Sequence, residues 1–289
     1  MTPKMVSSFR RSLSYPNPPS PSARPRKALH VRSASLPCRS HPIISHLRDD
    51  IAALRSFSAA PLTSACLCVS LRRLGSLHDS LDDLLHLPQT RDSLRAPQIE
   101  RLLDHFLLLV DLYGTFQALA LRLKDELSAA QIAVRRKDGR EVATRVKNLS
   151  RISKKIGSLS PNYHAPIRKL SPYDEEADLV EVIESVLGVT CAVSAVLFGG
   201  LSGSLALRRP WGLGFGAKAK NGSVEGGIWE FQEMSLEKLR KLRGEEEVKM
   251  ASKRMQEMED RIVEIEGCGA KVFRSLINTR VSLLNVVTQ

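Results

Sequence analysis

Apolar residues return every three or four positions along most of this chain, the spacing that gathers them on one side of an α-helix. The first such run opens at Pro42, whose missing N–H costs nothing in a first helical turn, and continues through Ile43, Leu47, Ile51 and Leu54. A longer stripe of Leu67, Leu71, Leu74, Leu77, Leu81, Leu84 and Leu85 follows, with Arg72, Arg73, Asp79, Asp82 and Asp83 off that side, and it ends near Pro88. From Pro97 the pattern resumes as Ile99, Leu102, Phe106, Val110, Tyr113, Phe116, Ala120, Leu123 and Leu127, and Gly139 marks the expected turn.

After Glu141 the stripe is Val142, Val146, Leu149, Ile152, Ile156 and Leu159, while Arg145, Lys147, Arg151, Lys154 and Lys155 fill much of the remaining circumference. The prolines of "SPNYHAPIRKLSP" make a loop, and Ser171, Pro172 and Asp174 then form a helix start of capping-box type. Val186 to Leu207 carries no charge, which fits either a buried bundle helix or a membrane span. Within it Ser185, Gly188, Ala192, Ala195 and Gly199 share one face, a small-residue stripe expected to let another helix pack closely. A charged helix is expected from Ile228 to about Glu266, supported by Glu237–Lys241, Glu245–Lys249 and Glu257–Arg261 at i,i+4. Gly267 to Gly269 should break it before a final apolar helix to Val287.

The pattern predicts an all-α fold, an elongated helical bundle of about six or seven helices with a disordered N-terminal arm and a Gly-rich linker. Its expected divisions are an arm at 1–41, a bundle core at 42–198, a linker at 199–227, and at 228–289 the charged and final apolar helices packing on the bundle. An aromatic content of 5% beside 43% hydrophobic residues agrees, since Leu and Ala rather than aromatic side chains supply the core.

Charge is placed unevenly. Residues 1–48 hold nine Lys or Arg and no acid, and Arg135 to Lys169 holds eleven against Asp138 and Glu141, within a net charge of +12. The arm is rich in Ser, Pro and Arg and too poor in large apolar residues to offset the entropy of ordering. Eight prolines by position 42 would break the amphipathic helix of a transit peptide, so plastid import is only a secondary alternative. Cys38, Cys66, Cys68, Cys191 and Cys268 are scattered and odd in number, which suits buried thiols in a reducing compartment, the cytoplasm.

Two chemical signals stand out. The cationic side of the helix after Glu141, Arg145, Lys147, Arg151, Lys154 and Lys155, is a candidate contact for an anionic membrane surface. It lacks the aromatic platforms that single-stranded nucleic acid needs, which argues against that partner. The second signal is a repeat in the arm: "RSLSYP" and "RSASLP" both read Arg-Ser-x-Ser-x-Pro, with Arg11, Ser14 and Pro16 in one and Arg32, Ser35 and Pro37 in the other. Phosphorylated at Ser14 and Ser35, both take the form that 14-3-3 adaptors bind, with phosphate for an Arg cluster and Pro turning the peptide out of the groove. The seven histidines sit in no metal-ligand spacing, and "GLGFGAK" follows no strand pattern, so no metal, cofactor or catalytic constellation is expected and the chain reads as non-enzymatic.

The segments "HVRSASLPCRSHPIISHLRDDIAALRS", "LHDSLDDLLHLPQT", "LLDHFLLLVDLYGTFQALALRLKDELSAAQIAVRRKDG" and "VFRSLINTRVSLLNVVTQ" resemble a plant family known by domain-of-unknown-function number 241 and grouped with the BYPASS-type proteins. The likeness runs from His30 to the C-terminus. It implies a role in root and shoot development, with no catalytic or cofactor motif to carry over. Protein contacts are the expected mode of action, and a membrane-associated protein using residues 186–207 and the basic helix 141–159 is the alternative.

Overall fold

A computed structural model describes residues 42–56, 62–88, 90, 94, 96–159, 175–205, 227–232, 236, 239, 242 and 244–288. Its helices are α1 (Pro42–Arg55), α2 (Ser64–Leu85), α3 (Ala96–Arg135), α4 (Gly139–Gly157), α5 (Glu175–Leu205), α6 (Trp229–Gln232) and α7 (Glu245–Thr288), and no strand occurs among the described residues. Both long helices, α3 with 40 residues and α7 with 44, reach about 60 Å or more at the helical rise, so the bundle is elongated. They run antiparallel side by side. Gly114 lies against Phe273 halfway along α3, Lys124 pairs with Glu266, and Gln131 donates to the Ser252 carbonyl near the C-terminal end of α3. On this frame α2 packs against α7, α4 folds back along α3, and α5 lies between α4, α1 and α2.

The predicted stripes are the buried sides. Leu74, Leu81, Phe106 and Phe116 are fully enclosed, and Val146 and Ile152 nearly so. At the centre the Phe198 ring of α5 stands 5.4 Å from Phe116 and 6.0 Å from Tyr113 of α3. Each such side chain contributes about 1.5–3 kcal/mol by leaving water.

A polar ladder runs through this centre. Thr190 Oγ1 donates to the Val186 carbonyl and Ser194 Oγ to the Thr190 carbonyl, both at 2.7 Å. With those hydrogens committed, both oxygens accept: His78 Nε2–H donates to Thr190 at 3.0 Å and the Tyr113 hydroxyl to Ser194 at 3.1 Å. The ladder ties α2 and α3 to α5 and leaves His78 Nδ1 as a bare, buried acceptor. A second set of ties crosses from α7 to α2, where Ser275 and Ser282 donate to Asp79 and Asp82. A third closes the bundle end: the Glu230 carboxylate of α6 accepts from the Ser64 amide and hydroxyl, at 3.1 and 2.8 Å, where the first turn of α2 has free donors.

Several expectations are corrected. Gly267–Gly269 does not interrupt α7, which runs unbroken to Thr288, because a glycine in a helix costs only about 1 kcal/mol and packing against α2 and α3 outweighs it. Gly269 is a close-packing position instead, since a side-chain carbon there would stand 3.0 Å from the Phe116 ring. The charged helix begins at Glu245 and not at Ile228, with α6 as a separate turn before it. On α7 Glu257 pairs with Lys253, and Arg261 pairs with Glu264. α5 continues through Leu205, into the segment expected as linker.

The turn after α3 places its left-handed residue at Lys137, with φ 56°, while Gly139 is already the first residue of α4, capped by the Asp138 carboxylate. The small-residue stripe of α5 is its open side. Ala192 is exposed, and nothing lies within 4 Å of where a side-chain carbon would stand at Gly188 or Gly199, because Val186, Leu187, Val193, Leu197 and Phe198 take the core side. The expected helix start at Ser171–Asp174, the pair Glu237–Lys241 and the segment 206–226 lie outside the described residues.

Candidate functional site

The α3–α4 hairpin carries the basic side chains singled out from the sequence. α4 is strongly amphipathic, burying Val142, Val146, Leu149, Ile152 and Ile156, so its cations have only the outer side to occupy. They do not act as one set. Arg145 bridges Glu141 at 2.6 Å and Glu126 of α3 at 3.2 Å, and hydrogen bonds to these two carboxylates raise its guanidinium above the ordinary arginine value. That side chain is structural. Lys147 is exposed and stands apart from the others.

Arg151, Lys154 and Lys155 instead line a recess of about 380 Å³ between the two helices. Arg122 and Glu126 of α3 close it from the other side, while Asn148 and Ile152 of α4 complete the lining. Glu126 is tied into the hairpin: it accepts from Arg145, which it shares with Glu141, at 3.2 Å and from Asn148 Nδ2 at 3.2 Å. Arg122, Arg151, Lys154 and Lys155 have no carboxylate partner among the described residues, so four cations face one cavity whose lining holds a single acid, Glu126.

Reading α4 alone missed Arg122, and a search for cations alone passed over Asn148. A signal existed, for in an antiparallel hairpin turning near Lys137 residues at equal distances on either side face each other, which sets Arg122 opposite Arg151.

Two buried thiols and one buried imidazole are held in their neutral forms. Burial pushes the Cys68 thiol up to about 12, helped by the neighbouring Cys268 thiol, and burial does the same to Cys191. Cys66 is only half-buried and points away from Cys68, as their spacing on a helix requires. Burial holds His78 down at about 3. The arm residues Arg11, Ser14, Pro16, Arg32, Ser35 and Pro37, with Cys38, lie outside the described residues.

One further surface breaks the rule of polar exteriors. Near the C-terminus of α7, Ile277, Val281 and Leu284 follow at i, i+4 and i+7 and are 36%, 48% and 36% exposed. The antiparallel register puts Leu107 and Leu108 of α3, also exposed, at the same end of the bundle. Two helices, Pro97–Arg135 and Leu179–Leu205, are long and apolar enough to cross a membrane, and in this fold both supply the core.

No curated protein and no solved structure matches the chain. The family model described as Protein BPS1 matches residues 70–286, a span that opens within α2, takes in the hairpin with its recess and the buried α5, and closes in the last turn of α7. A match over about three quarters of the sequence means that this chain belongs to the BPS1 family of BYPASS-type proteins.

Proposed function

We propose that the protein is a non-enzymatic helical scaffold of the cytoplasm that acts in root and shoot development through protein contacts. Membership of the BPS1 family points to plant development. The contact mode is carried by the exposed stripe of Ile277, Val281 and Leu284, which has the i, i+4, i+7 spacing that an amphipathic helix of a partner would cover. The arm acts as a phosphorylation-dependent handle, with Ser14 and Ser35 as acceptors, Arg11 and Arg32 upstream of them, and 14-3-3 adaptors as the reader.

The two serines are 35 − 14 = 21 residues apart. A flexible linker of that length spans roughly 25 Å on average and stretches to roughly 70 Å, enough to seat both phosphoserines in one 14-3-3 dimer. Three peptides covering Phe9 to Cys38, phosphorylated at Ser14, at Ser35 or at both, test this by titration against a 14-3-3 dimer. The doubly phosphorylated peptide is expected to bind on the order of a hundredfold tighter than either single one. Equal affinities refute bivalency, and no binding removes the handle.

A second reading, association with an anionic membrane through α4, is favoured by the cationic side of that helix. Alkaline carbonate extraction separates it from insertion of α5: an inserted chain stays in the membrane pellet and a peripheral one is released.

A further inference from the structure

We propose that the recess between α3 and α4 is a binding site for a ligand carrying several clustered phosphates, such as a phosphorylated cyclitol ring, free or as a lipid headgroup. This goes beyond the protein-contact reading and does not depend on it. Three features of the recess support it together.

The first is charge. Arg122, Arg151, Lys154 and Lys155 converge from two helices with no carboxylate partner among the described residues, and the one acid in the lining, Glu126, is held by Arg145 and Asn148. Four like charges around one cavity repel, and a single phosphate of about −1.5 to −2 would leave half of them uncompensated. Several phosphates on one scaffold would match them.

The second is shape. The recess is a half-open groove with exposed cations along its rim, and about 380 Å³ is within the range of small-molecule sites and accommodates a six-membered ring with its substituents.

The third is rigidity and ligand type. The hairpin backbone is fixed beneath the recess by the buried stripe of α4 and by the Arg145 bridges, so Arg122 and Arg151 stem from set positions on facing helices, where their forks suit bidentate contact with phosphate and the two ammonium groups add point charge. No aromatic side chain lines the recess, which selects against a nucleobase.

The test is calorimetric titration of the full-length protein with inositol hexakisphosphate and, separately, with inorganic phosphate. Flotation with vesicles containing phosphatidylinositol bisphosphate, or enough phosphatidylserine to match their charge, distinguishes the sources. Arg122→Gln and Arg151→Gln are each expected to weaken hexakisphosphate binding roughly tenfold. Lys147→Gln, which removes the same charge from the same hairpin outside the recess, should change it less than about twofold. All three positions are exposed, and equal helical signals check that the variants fold.

Binding to hexakisphosphate alone assigns a soluble ligand, and added preference for the bisphosphate vesicles assigns a lipid headgroup. Either result supports the site. Absence of binding to hexakisphosphate and to the bisphosphate vesicles overturns it. So does equal weakening by Lys147→Gln and Arg122→Gln, or equal affinity for inorganic phosphate, since each would mean diffuse attraction and no site.

Discussion

His78 carries an imidazole into the middle of the bundle, with one nitrogen bonded to Thr190 and the other bonded to nothing. Burial lowers its pKa to about 3 from an ordinary 6.5. Between those values the unfolded chain binds a proton that the folded chain rejects, so stability falls as pH drops through that window, by up to ~1.4 kcal/mol per pH unit. Above pH 6.5 the residue contributes no pH dependence. His78→Gln, which keeps a donor for Thr190, should flatten the fall of melting temperature between pH 6.5 and pH 4 relative to the parent. Parallel curves would mean that the ring is protonated in the folded state. The sequence shows His78 only as a polar residue beside the leucine stripe. What makes it unusual is the arrival of α5 on top of it, a contact between positions 112 residues apart.

At the scale of elements, α7 separates what a local pattern reveals from what packing decides. Its apolar end was legible in the sequence, as were the buried positions Leu74 on α2, Phe106 on α3 and Val146 on α4, while its own core residues Val272, Leu276 and Leu283 are identified by packing. Its continuity was not legible, since glycine announces a local cost and the compensation comes from other helices. The two glycines then make opposite demands. Gly267 is exposed with open space around it, so Gly267→Ala should stabilise by about 0.5–1 kcal/mol through helix propensity. Gly269→Ala sets a carbon 3.0 Å from the enclosed Phe116 ring and should give no gain or a loss. Denaturant midpoints of the two variants check the pair. If both stabilise equally, Phe116 yields freely and α3 and α7 are less tightly packed than described.

The same limit explains the candidate site. Arg151, Lys154 and Lys155 could be found on α4 alone, but Arg122 joins them only once the hairpin register is known, and Arg145 drops out only once Glu126 faces it. Likewise the small residues of α5 fit either a close helix contact or an open side. The choice fell to the large residues opposite, which turned Gly188 and Gly199 outward.

For the whole molecule, two helices of 40 and 44 residues form the frame of the bundle, which carries a cationic recess on one hairpin and an apolar stripe at one end, and the sequence ahead of it holds two copies of one hexapeptide. Buried thiols, a buried neutral imidazole and helix-to-helix hydrogen bonds account for the reactive side chains of the interior. The central claim is that the protein acts through contacts made by its surfaces. Complementation tests it most directly: plants that show a developmental defect when they lack this gene receive either the parent chain or Ile277→Glu/Val281→Glu, at matched abundance and with equal helical signal. The parent should restore root and shoot architecture, and the double variant should fail to restore it. Full restoration by the double variant would contradict the claim that the α7 stripe is where the protein works.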